Sequence, residues 1–220
     1  MSDTPDTPDT LPDALARHSI ELPADQIEQL GRYCSALWEM NEKLNLTRHT
    51  DFDKFVSRDV VDSMWIERFL DSGERVLDVG TGGGVPGAIL AILRPDLEVT
   101  LSDSVAKKAR AVEEIVKSAG VDVKVCHAPA QALLEQHRFD TLTARAVAPV
   151  AKLLTWFAPH WDNFNRLLII KGPAWVEERS AARSAGLLKS LELRKLCSYP
   201  MPGTESESVV LSIRPKDQVE

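Results

Sequence analysis

The sequence of 220 residues contains few cysteines and no long apolar segment. Its three cysteines, Cys34, Cys126 and Cys197, lie far apart without metal-ligand spacing, which argues against a disulfide framework and favours reduced, buried thiols. The five histidines show no ligand spacing either, so we expect no metal site. No apolar run approaches the roughly 20 residues that span a membrane. Because the N-terminus is acidic and unlike a signal peptide, we expect a cytoplasmic protein without a membrane segment.

An excess of positive charge is also missing, since the formal net charge is −7. Residues 1–30 hold seven acids and one base, so that segment alone contributes −6. Residues 165–199, by contrast, hold seven bases and three acids, a local charge of +4. The chain beyond residue 30 is therefore close to neutral and has basic regions available for phosphate contacts. The composition permits an RNA substrate without arguing for one.

The N-terminal part of the chain is predicted to precede the main sheet. Asp-Thr occurs three times in succession within residues 2–10, and twice it is followed by proline. Such a low-complexity acidic repeat cannot bury apolar surface, so we expect residues 1–19 to be a disordered tail. From Asp25, which suits an N-cap position, apolar residues recur at three- and four-residue steps. With a second helix expected over about 51–70, residues 20–72 are interpreted as a helical cap.

Strand and helix patterns alternate over residues 73–215, which predicts a mostly parallel sheet covered on both faces. Only a short turn at Pro200–Gly203 separates the last two strands, so they must be antiparallel. This α/β, Rossmann-like arrangement of seven strands with a terminal antiparallel hairpin is expected of class I S-adenosylmethionine (AdoMet)-dependent methyltransferases. Residues 216–220 are expected to be a short tail. The expected strands are 75–79, 97–102, 121–126, 139–144, 166–171, 190–198 and 207–214, and the expected helices are 86–94, 105–119, 129–137, 148–158 and 173–188.

A glycine-rich loop within Leu77–Gly87 joins a predicted strand to a predicted helix, and such loops let the backbone approach a ligand closely. Two registers fit the glycines. One matches the AdoMet loop and is led by Asp78, whose carboxylate suits the ammonium group of AdoMet. The other matches the dinucleotide fingerprint, but its first glycine, Gly82, lies two residues beyond the strand. The loop therefore favours AdoMet over NAD(P), with contacts expected from Asp78, Gly80, Thr81, Gly82 and Gly84.

Two further stretches are expected at the carboxyl edge of the sheet, where ligands bind in open α/β folds. Asp103 follows the second strand, where its carboxylate can accept the hydroxyls of an adenosine ribose. Asp103 or Ser104 can also cap the next helix, and the two roles are compatible. After the third strand, Ala130 and Gln131 can border the adenine, although Pro129 fits a plain helix start equally well.

Two sequence patterns are absent from the region after the fourth strand, and each absence narrows the choice of atom that accepts the methyl group. Methylation of exocyclic amino nitrogens usually involves an Asn/Asp-Pro-Pro-aromatic loop, which does not occur. Carbon methylation of pyrimidines needs a cysteine nucleophile, and none lies in residues 127–196. The chain instead offers Lys171, at the end of the fifth strand, and Arg145, a cation suited to phosphate, a carboxylate or the acceptor edge of a base, with a surface salt bridge as the alternative. An acceptor with a free lone pair, such as guanine N7, needs no general base, so positioning would supply most of the catalysis.

Several of these motifs occur together, and in order, in one known family. From about residue 20 to 214, the chain resembles the bacterial 16S ribosomal RNA guanine-N7 methyltransferases, also called glucose-inhibited division protein B. The most specific part is the glycine loop extended by Val85-Pro86-Gly87, followed by Asp103-Ser104. The other shared motifs are Asn45-Leu46-Thr47, Arg58 with Asp62-Ser63, Lys107-Lys108, Arg145-Ala146 and Lys171-Gly172.

The resemblance implies AdoMet as the donor and a guanosine in a decoding-region loop of 16S ribosomal RNA, or of the small ribosomal subunit, as the acceptor. It adds Val85 to the cofactor contacts and places Arg145 between cofactor and substrate. We expect Arg145 and Lys171 to position phosphate or substrate, without a general base. RNA contacts are expected from Asn45, Arg58, Lys107 and Lys171.

Three positions depart from the family pattern. Pro129 stands where an arginine is common, Gln131 replaces a usual glutamate, and Asp59 replaces a usual histidine. An NAD(P)-dependent dehydrogenase stays open as an alternative because of the second glycine register. A non-catalytic AdoMet- or RNA-binding module stays open because a general base is missing. We expect a monomer.

Overall fold

The protein is described by a computed structural model for residues 9–202 and 204–218. Its strands are β1 (Arg75–Val79), β2 (Glu98–Asp103), β3 (Lys124–His127), β4 (Thr141–Arg145), β5 (Arg166–Lys171), β6 (Leu191–Pro200) and β7 (Glu207–Pro215). They form one seven-stranded sheet in the order β3-β2-β1-β4-β5-β7-β6. The first five strands are parallel, while β7 pairs antiparallel with both β5 and β6. The predicted sheet and its terminal antiparallel hairpin are confirmed.

The strand order explains where a ligand can bind. The chain winds outward from β1 through β2 to β3, and then returns to place β4 on the other side of β1. The loops that leave β1 and β4 therefore diverge, which opens a crevice at the carboxyl edge of the sheet. At the far edge, β6 carries a bulge between Lys195 and Cys197.

Helices cover both faces of the sheet. Their bounds are α1 (Leu11–Arg17), α2 (Ala24–Leu44), α3 (Phe52–Lys54), a π-helix (Phe55–Val60), α4 (Val61–Glu67), α5 (Gly87–Leu93), α6 (Ala106–Ala119), α7 (Ala130–Leu134), α8 (Val150–Phe157), a 3₁₀-helix (Ala158–Asn163) and α9 (Trp175–Ser184). One apolar cluster joins α2, α5 and α6 to one face, and a second joins α7, α8 and α9 to the other. Within the described residues, no helix combines the length and apolarity needed to cross a bilayer.

The N-terminal helices share their core with the sheet. Leu30, Tyr33 and Leu37 of α2 are fully buried in the same cluster as Ile89 of α5 and Val112 of α6. The cap is therefore fixed against the sheet by a continuous apolar interior. Its first long helix begins at Ala24 after Pro23, so the expected N-cap at Asp25 is wrong by two residues.

The prediction that residues 1–19 form a disordered tail is wrong for part of that segment. Residues 1–8, with most of the Asp-Thr-Pro repeat, lie outside the described residues, but α1 follows them directly. Thr10 and Asp13 form a reciprocal capping box that satisfies amides at the helix start. Leu11 and Leu15 are buried against the cap, which supplies the apolar burial that the repeat lacks. At the other end, the predicted tail includes a 3₁₀ turn at Lys216–Gln218.

Candidate active site

A cavity of about 660 Å³ opens at the carboxyl edge of the sheet. Its volume falls within the range of small-molecule sites. It is lined by the glycine loop after β1, by the ends of β4 and β5, and by the cap segment after α2 together with the π-helix. A second cavity of about 640 Å³ lies at the amino-terminal edge and contains none of the predicted site residues.

Four loop residues predicted to bind the cofactor, Gly80, Thr81, Gly82 and Val85, line this cavity. Gly80 and Gly82 have φ angles of +61° and +58°, a left-handed conformation that glycine adopts without strain. A Cβ added to Gly82 would meet no atom closer than the Gly80 carbonyl oxygen, at 3.9 Å. At Gly82 the loop thus presents bare backbone beside open space, and this arrangement fits a nucleoside cofactor such as AdoMet.

Gly84, also predicted as a cofactor contact, packs against the helices and does not line the cavity. A Cβ there would lie 2.9 Å from the Tyr33 hydroxyl oxygen and 3.0 Å from the Ala88 Cβ. The Tyr33 hydroxyl donates a hydrogen bond of 2.7 Å to the Gly83 carbonyl. Gly84 is therefore required for close contact between the loop and the cap, and the predicted ligand contact is not supported.

Asp78 is fully buried beneath the glycine loop and does not line the cavity. Its Oδ2 accepts hydrogen bonds from the Thr81 hydroxyl at 2.6 Å and the Gly87 amide at 3.2 Å, and its Oδ1 accepts one from the Thr143 hydroxyl at 2.9 Å. The predicted contact with the ammonium group of the cofactor is therefore not supported, because the carboxylate braces the loop from below. Burial raises the pKa of Asp78 to about 6, although these three donors oppose the increase.

The raised pKa of Asp78 links folding to protonation. Because the ordinary value is 3.8, stabilisation by protonated Asp78 is fully present below about pH 4 and lost as the pH rises through about 6. When the pH is lowered from 7 to 5, we expect the protonation of Asp78 to raise the free energy of unfolding by about 1 kcal/mol. Urea unfolding of the wild type and Asp78→Asn at both pH values measures the effect. The same pH dependence in both proteins would contradict it.

Asp103 connects the end of β2 to the glycine loop. Its Oδ2 accepts a hydrogen bond from the Gly82 amide at 3.1 Å, and its Oδ1 accepts one from the Val105 amide at 2.8 Å. Val105 is the N-cap of α6 and has no side-chain cap, so neither Asp103 nor Ser104 caps that helix as expected. Asp103 is only 5% exposed and Ser104 is exposed, and neither lines the cavity. The geometry shows Asp103 fixing the loop.

Ala130 and Gln131 lie at the start of α7, beyond the lining of the cavity. Ala130 is buried and Gln131 is half-buried. Since the carboxyl end of β3 lies beside that of β2, with His127 paired to Asp103, both residues are on the predicted edge of the sheet. The alternative of a helix start at Pro129 is wrong by one residue, because Pro129 occupies the N-cap position and α7 begins at Ala130.

Arg145, at the end of β4, lines the cavity but is paired with two acids from the cap. Its guanidinium lies 2.7 Å from Asp59 Oδ1 and 3.0 Å from Asp62 Oδ2. Burial opposes its charge, but the two carboxylates raise the pKa of Arg145, so the side chain stays a cation. The predicted role as a free cation for phosphate is therefore not supported. Arg145 joins the sheet to the cap at the cavity wall.

Asp59 and Asp62, the two acids that bind Arg145, each accept a hydrogen bond from one further side chain. The Nδ1 of His49 donates to Asp59 Oδ1 at 2.8 Å, and the Tyr199 hydroxyl donates to Asp62 Oδ1 at 2.6 Å. Asp59 is fully buried, and its Oδ2 has no hydrogen-bond partner within the described residues. At this wall of the cavity, one arginine therefore faces two carboxylates.

Lys171, at the end of β5, lines the cavity with its ammonium already engaged. The ammonium lies 2.8 Å from Glu178 Oε2 and donates to the Ala148 carbonyl at 2.6 Å. The same Glu178 oxygen accepts a hydrogen bond from the Val150 amide at 2.8 Å. Lys171 therefore ties β5 to α8 and α9. The prediction that it offers a free positive charge to RNA is not supported.

Three other cations surround the cavity. Arg48, Arg58 and Lys108 line it, and none of them forms an ion pair within the described residues. Arg58, which is predicted to contact RNA, is therefore one of the cations at the cavity. Lys107 is exposed on the first turn of α6, while Lys108, its neighbour, reaches the cavity. Asn45 has a left-handed conformation at the C-cap of α2 and does not line the cavity.

Sequence reasoning gave no role to several residues of this site. His49 carried no visible functional signal and Asp59 was noted only as a departure from the family pattern, because Arg145, which binds Asp59 at the cavity, lies far away in the sequence. Asp62 was visible as part of a family motif, but without a role. The break in the predicted second helix is a π-helix, a feature that often marks functional sites, and it carries Arg58 and Asp59.

A seven-stranded sheet with a terminal antiparallel hairpin, and a glycine loop beside a cavity after β1, define a class I AdoMet-dependent methyltransferase. Solved structures with the same fold include the N-terminal domain of EvdMO1 with SAH bound, at 14% identity and a TM-score of 0.56 over 83% of this chain and 95% of that chain. A point mutant of MtNAS, at 17% identity, also has a TM-score of 0.56, over 93% of this chain and 79% of that chain.

A family model described as "GidB: rRNA small subunit methyltransferase G" matches residues 26–201. A relative from Rhodopirellula baltica, named ribosomal RNA small subunit methyltransferase G, is 45% identical over 88% of this chain and 84% of its own length. One of the same name from Roseiflexus castenholzii is 36% identical over 89% of this chain and 86% of its own. The chain belongs to the rRNA small subunit methyltransferase G family. This membership decides the cofactor in favour of AdoMet and against the NAD(P) alternative.

Proposed function

We propose that this protein transfers a methyl group from AdoMet to N7 of a guanosine in the decoding-region loop of 16S ribosomal RNA. The observation that supports it best is one cavity in which the bare glycine loop meets three cations without ion-pair partners among the described residues, Arg48, Arg58 and Lys108. A loop of this kind suits a nucleoside cofactor, and cations at the entrance suit a phosphate backbone. Family membership favours ribosomal RNA as the nucleic acid.

We place the cofactor along the glycine loop, where AdoMet supplies an electrophilic methyl group. Gly80, Gly82 and Val85 would contact it, with Thr81 fixed from below by Asp78. Asp103 lies close enough to the loop to accept ribose hydroxyls while it holds the Gly82 amide. Ser104, Ala130 and Gln131 would border the adenine side.

Acidic and basic side chains at the cavity are already engaged with one another, which suits a methyl acceptor that has no proton to lose. Asp62 is bonded to Arg145 and Tyr199, and Lys171 is paired with Glu178. These groups are committed to holding the walls together, so they position the acceptor base and exclude water without removing a proton. Guanine N7 carries a lone pair and needs only such positioning.

His49 favours a second candidate, methylation at an atom that must lose a proton. It lines the cavity, and its Nδ1 is oriented by the buried carboxylate of Asp59, which is the arrangement of a histidine base aligned by an acid. Its Nε2 would then accept the proton of an amino or hydroxyl acceptor. The position of the methyl group on the product distinguishes the two candidates.

Incubation with labelled AdoMet and unmethylated small ribosomal subunits or 16S ribosomal RNA, followed by nucleoside analysis, tests the proposal. We expect N7-methylguanosine, and we expect Asp103→Ala to lose measurable AdoMet binding by calorimetry and most of the transfer. His49→Asn should reduce the rate less than tenfold, since no general base is needed. A methyl group on oxygen, carbon or an exocyclic nitrogen would refute N7 transfer. A loss of a hundredfold or more in His49→Asn would favour the second candidate.

We further propose that the protein acts in the cytoplasm as a monomer. Among the described residues, only Val105 and Val176 are large apolar side chains with substantial exposure, at 42% and 52%. Two isolated valines do not form the apolar patch of a stable subunit interface.

A further inference from the structure

A smaller cavity of about 290 Å³ lies at the opposite end of the sheet from the methyl-transfer cavity. It is formed where α9 ends, β6 begins and the chain leaves β7. Leucines and Glu192 form part of its lining. Four cations complete it: Arg179, Arg183, Lys189 and Lys216. We call these four side chains the distal basic cluster.

The cations of the distal basic cluster have no carboxylate partner within the described residues, because none of them appears in an ion pair there. The nearby acid Glu192 is shared between Arg194 at 2.7 Å and Arg214 at 3.5 Å. Lys216 donates its ammonium to the Lys189 carbonyl, at 2.7 Å. The lining of the cavity therefore carries four cations against one carboxylate, and that carboxylate is engaged by two other arginines.

Such a concentration of charge opposes folding, since like charges that converge on one cavity repel each other. The chain as a whole has a net charge of −7, so its cations are not in general excess. Arg183, Lys189 and Lys216 are exposed, and none is needed to cover the apolar core. A cavity of this volume admits a phosphate group but no folded protein segment. These features point to an anionic partner that presents separate phosphates.

Two elements connect this cavity to the methyl-transfer cavity. In α9, Glu178 lines the methyl-transfer cavity and Arg179 lines the distal one. β6 runs from the distal cavity at Leu191 to Pro200, next to Met201 of the methyl-transfer cavity. Its ten residues span roughly 30 Å at about 3.3 Å per residue. An RNA that reaches both sites must extend several nucleotides beyond the target base.

We propose that the distal basic cluster binds backbone phosphates of the ribosomal RNA substrate, as a second contact outside the methyl-transfer cavity. This inference rests on the proposed function. Phosphate contacts fix the position of a nucleic acid without reading its sequence. The cluster therefore orients the small subunit so that the target guanosine enters the cavity.

The test compares Arg183→Gln/Lys189→Gln with a matched pair, Lys117→Gln/Lys124→Gln. The matched pair removes two exposed cations near the opposite edge of the sheet. KM and kcat are measured at several salt concentrations, with whichever substrate the wild type methylates. We expect the cluster variant to raise KM three- to tenfold at unchanged kcat and AdoMet affinity. The plot of log kcat/KM against log salt should flatten by about one to two units. The matched pair should behave like the wild type.

Three outcomes would overturn the inference. In the first, the cluster variant keeps the wild-type KM and salt dependence. In the second, the matched pair of substitutions raises KM as much as the cluster variant does, which would show that the effect comes from the change in net charge alone. In the third, calorimetry shows that the wild type binds inorganic phosphate at the cluster while RNA binding is insensitive to the variant. If the wild type itself transfers no methyl group to ribosomal RNA, the proposed function fails and the second contact fails with it.

Discussion

Arg145→Met is expected to lower the free energy of unfolding by about 3 to 5 kcal/mol. Methionine fills a similar volume, but it leaves the carboxylates of Asp59 and Asp62 without their cation. Asp59 is fully buried, so water cannot replace the lost interaction. Because the ion pairs of Arg145 with these two carboxylates join the cap to the end of β4, we also expect the rate of methyl transfer to fall sharply. Urea unfolding and single-turnover assays measure the two effects.

A double-mutant cycle separates the charge effect from simple loss of packing. In the Arg145→Met background, Asp59→Asn removes one unpaired charge and should recover about 1 kcal/mol or more. In the wild-type background, Asp59→Asn should be destabilising, because it removes the partner of Arg145 and His49. If the effects of the two substitutions add within about 0.5 kcal/mol, the carboxylates and Arg145 are not coupled as the structure indicates.

Gly87→Ala is expected to destabilise the protein by about 3 kcal/mol and to abolish AdoMet binding. An added Cβ would lie 2.6 Å from the Asp78 Cβ and 2.8 Å from Asp78 Oδ2, and it would also overlap Leu101. Overpacking of a buried site costs about 1 to 3 kcal/mol, and here it also displaces the carboxylate that braces the glycine loop. Thermal unfolding and calorimetry with AdoMet check both effects.

Gly31→Ala serves as the matched control. In α2 the nearest atom to a new Cβ is the Leu11 Cδ2 at 3.8 Å, which is an ordinary contact. Alanine in a helix interior is favoured over glycine by about 0.5 to 1 kcal/mol, so this variant should be as stable as the wild type or more so, with unchanged AdoMet affinity. A Gly87→Ala protein that unfolds and binds like Gly31→Ala would refute the packing argument.

The glycine loop and the sheet could be predicted because their signals are local. Strand, loop and helix follow one another within residues 75–93, and this order makes the spacing of the glycines between them indicative of a ligand-binding loop. The helix α1 was not predicted, because the acidic composition of the preceding repeat continues up to Thr10 and gives no sign of the apolar burial that stabilises the helix.

The charges of the site could not be predicted, because they depend on contacts between distant parts of the chain. Arg145 was interpreted as a free cation, but its partners Asp59 and Asp62 come from the cap, more than 80 residues earlier. Lys171 was interpreted as a cation for RNA, but it is paired with Glu178, because α9 folds back over the end of β5. Asp78 was assigned to a ligand because the sequence does not show that it is fully buried.

The bulge between Lys195 and Cys197 has a consequence for behaviour at high protein concentration. A regular edge strand exposes unpaired amides and carbonyls that a second chain can extend, which leads to aggregation. On β6 the bulge interrupts that row, and the charged side chains of Arg194 and Lys195 discourage a neighbour. At the other border, β3 has only four residues, too few to template a long pairing. Both borders of the sheet are thereby protected against fibrillar self-association.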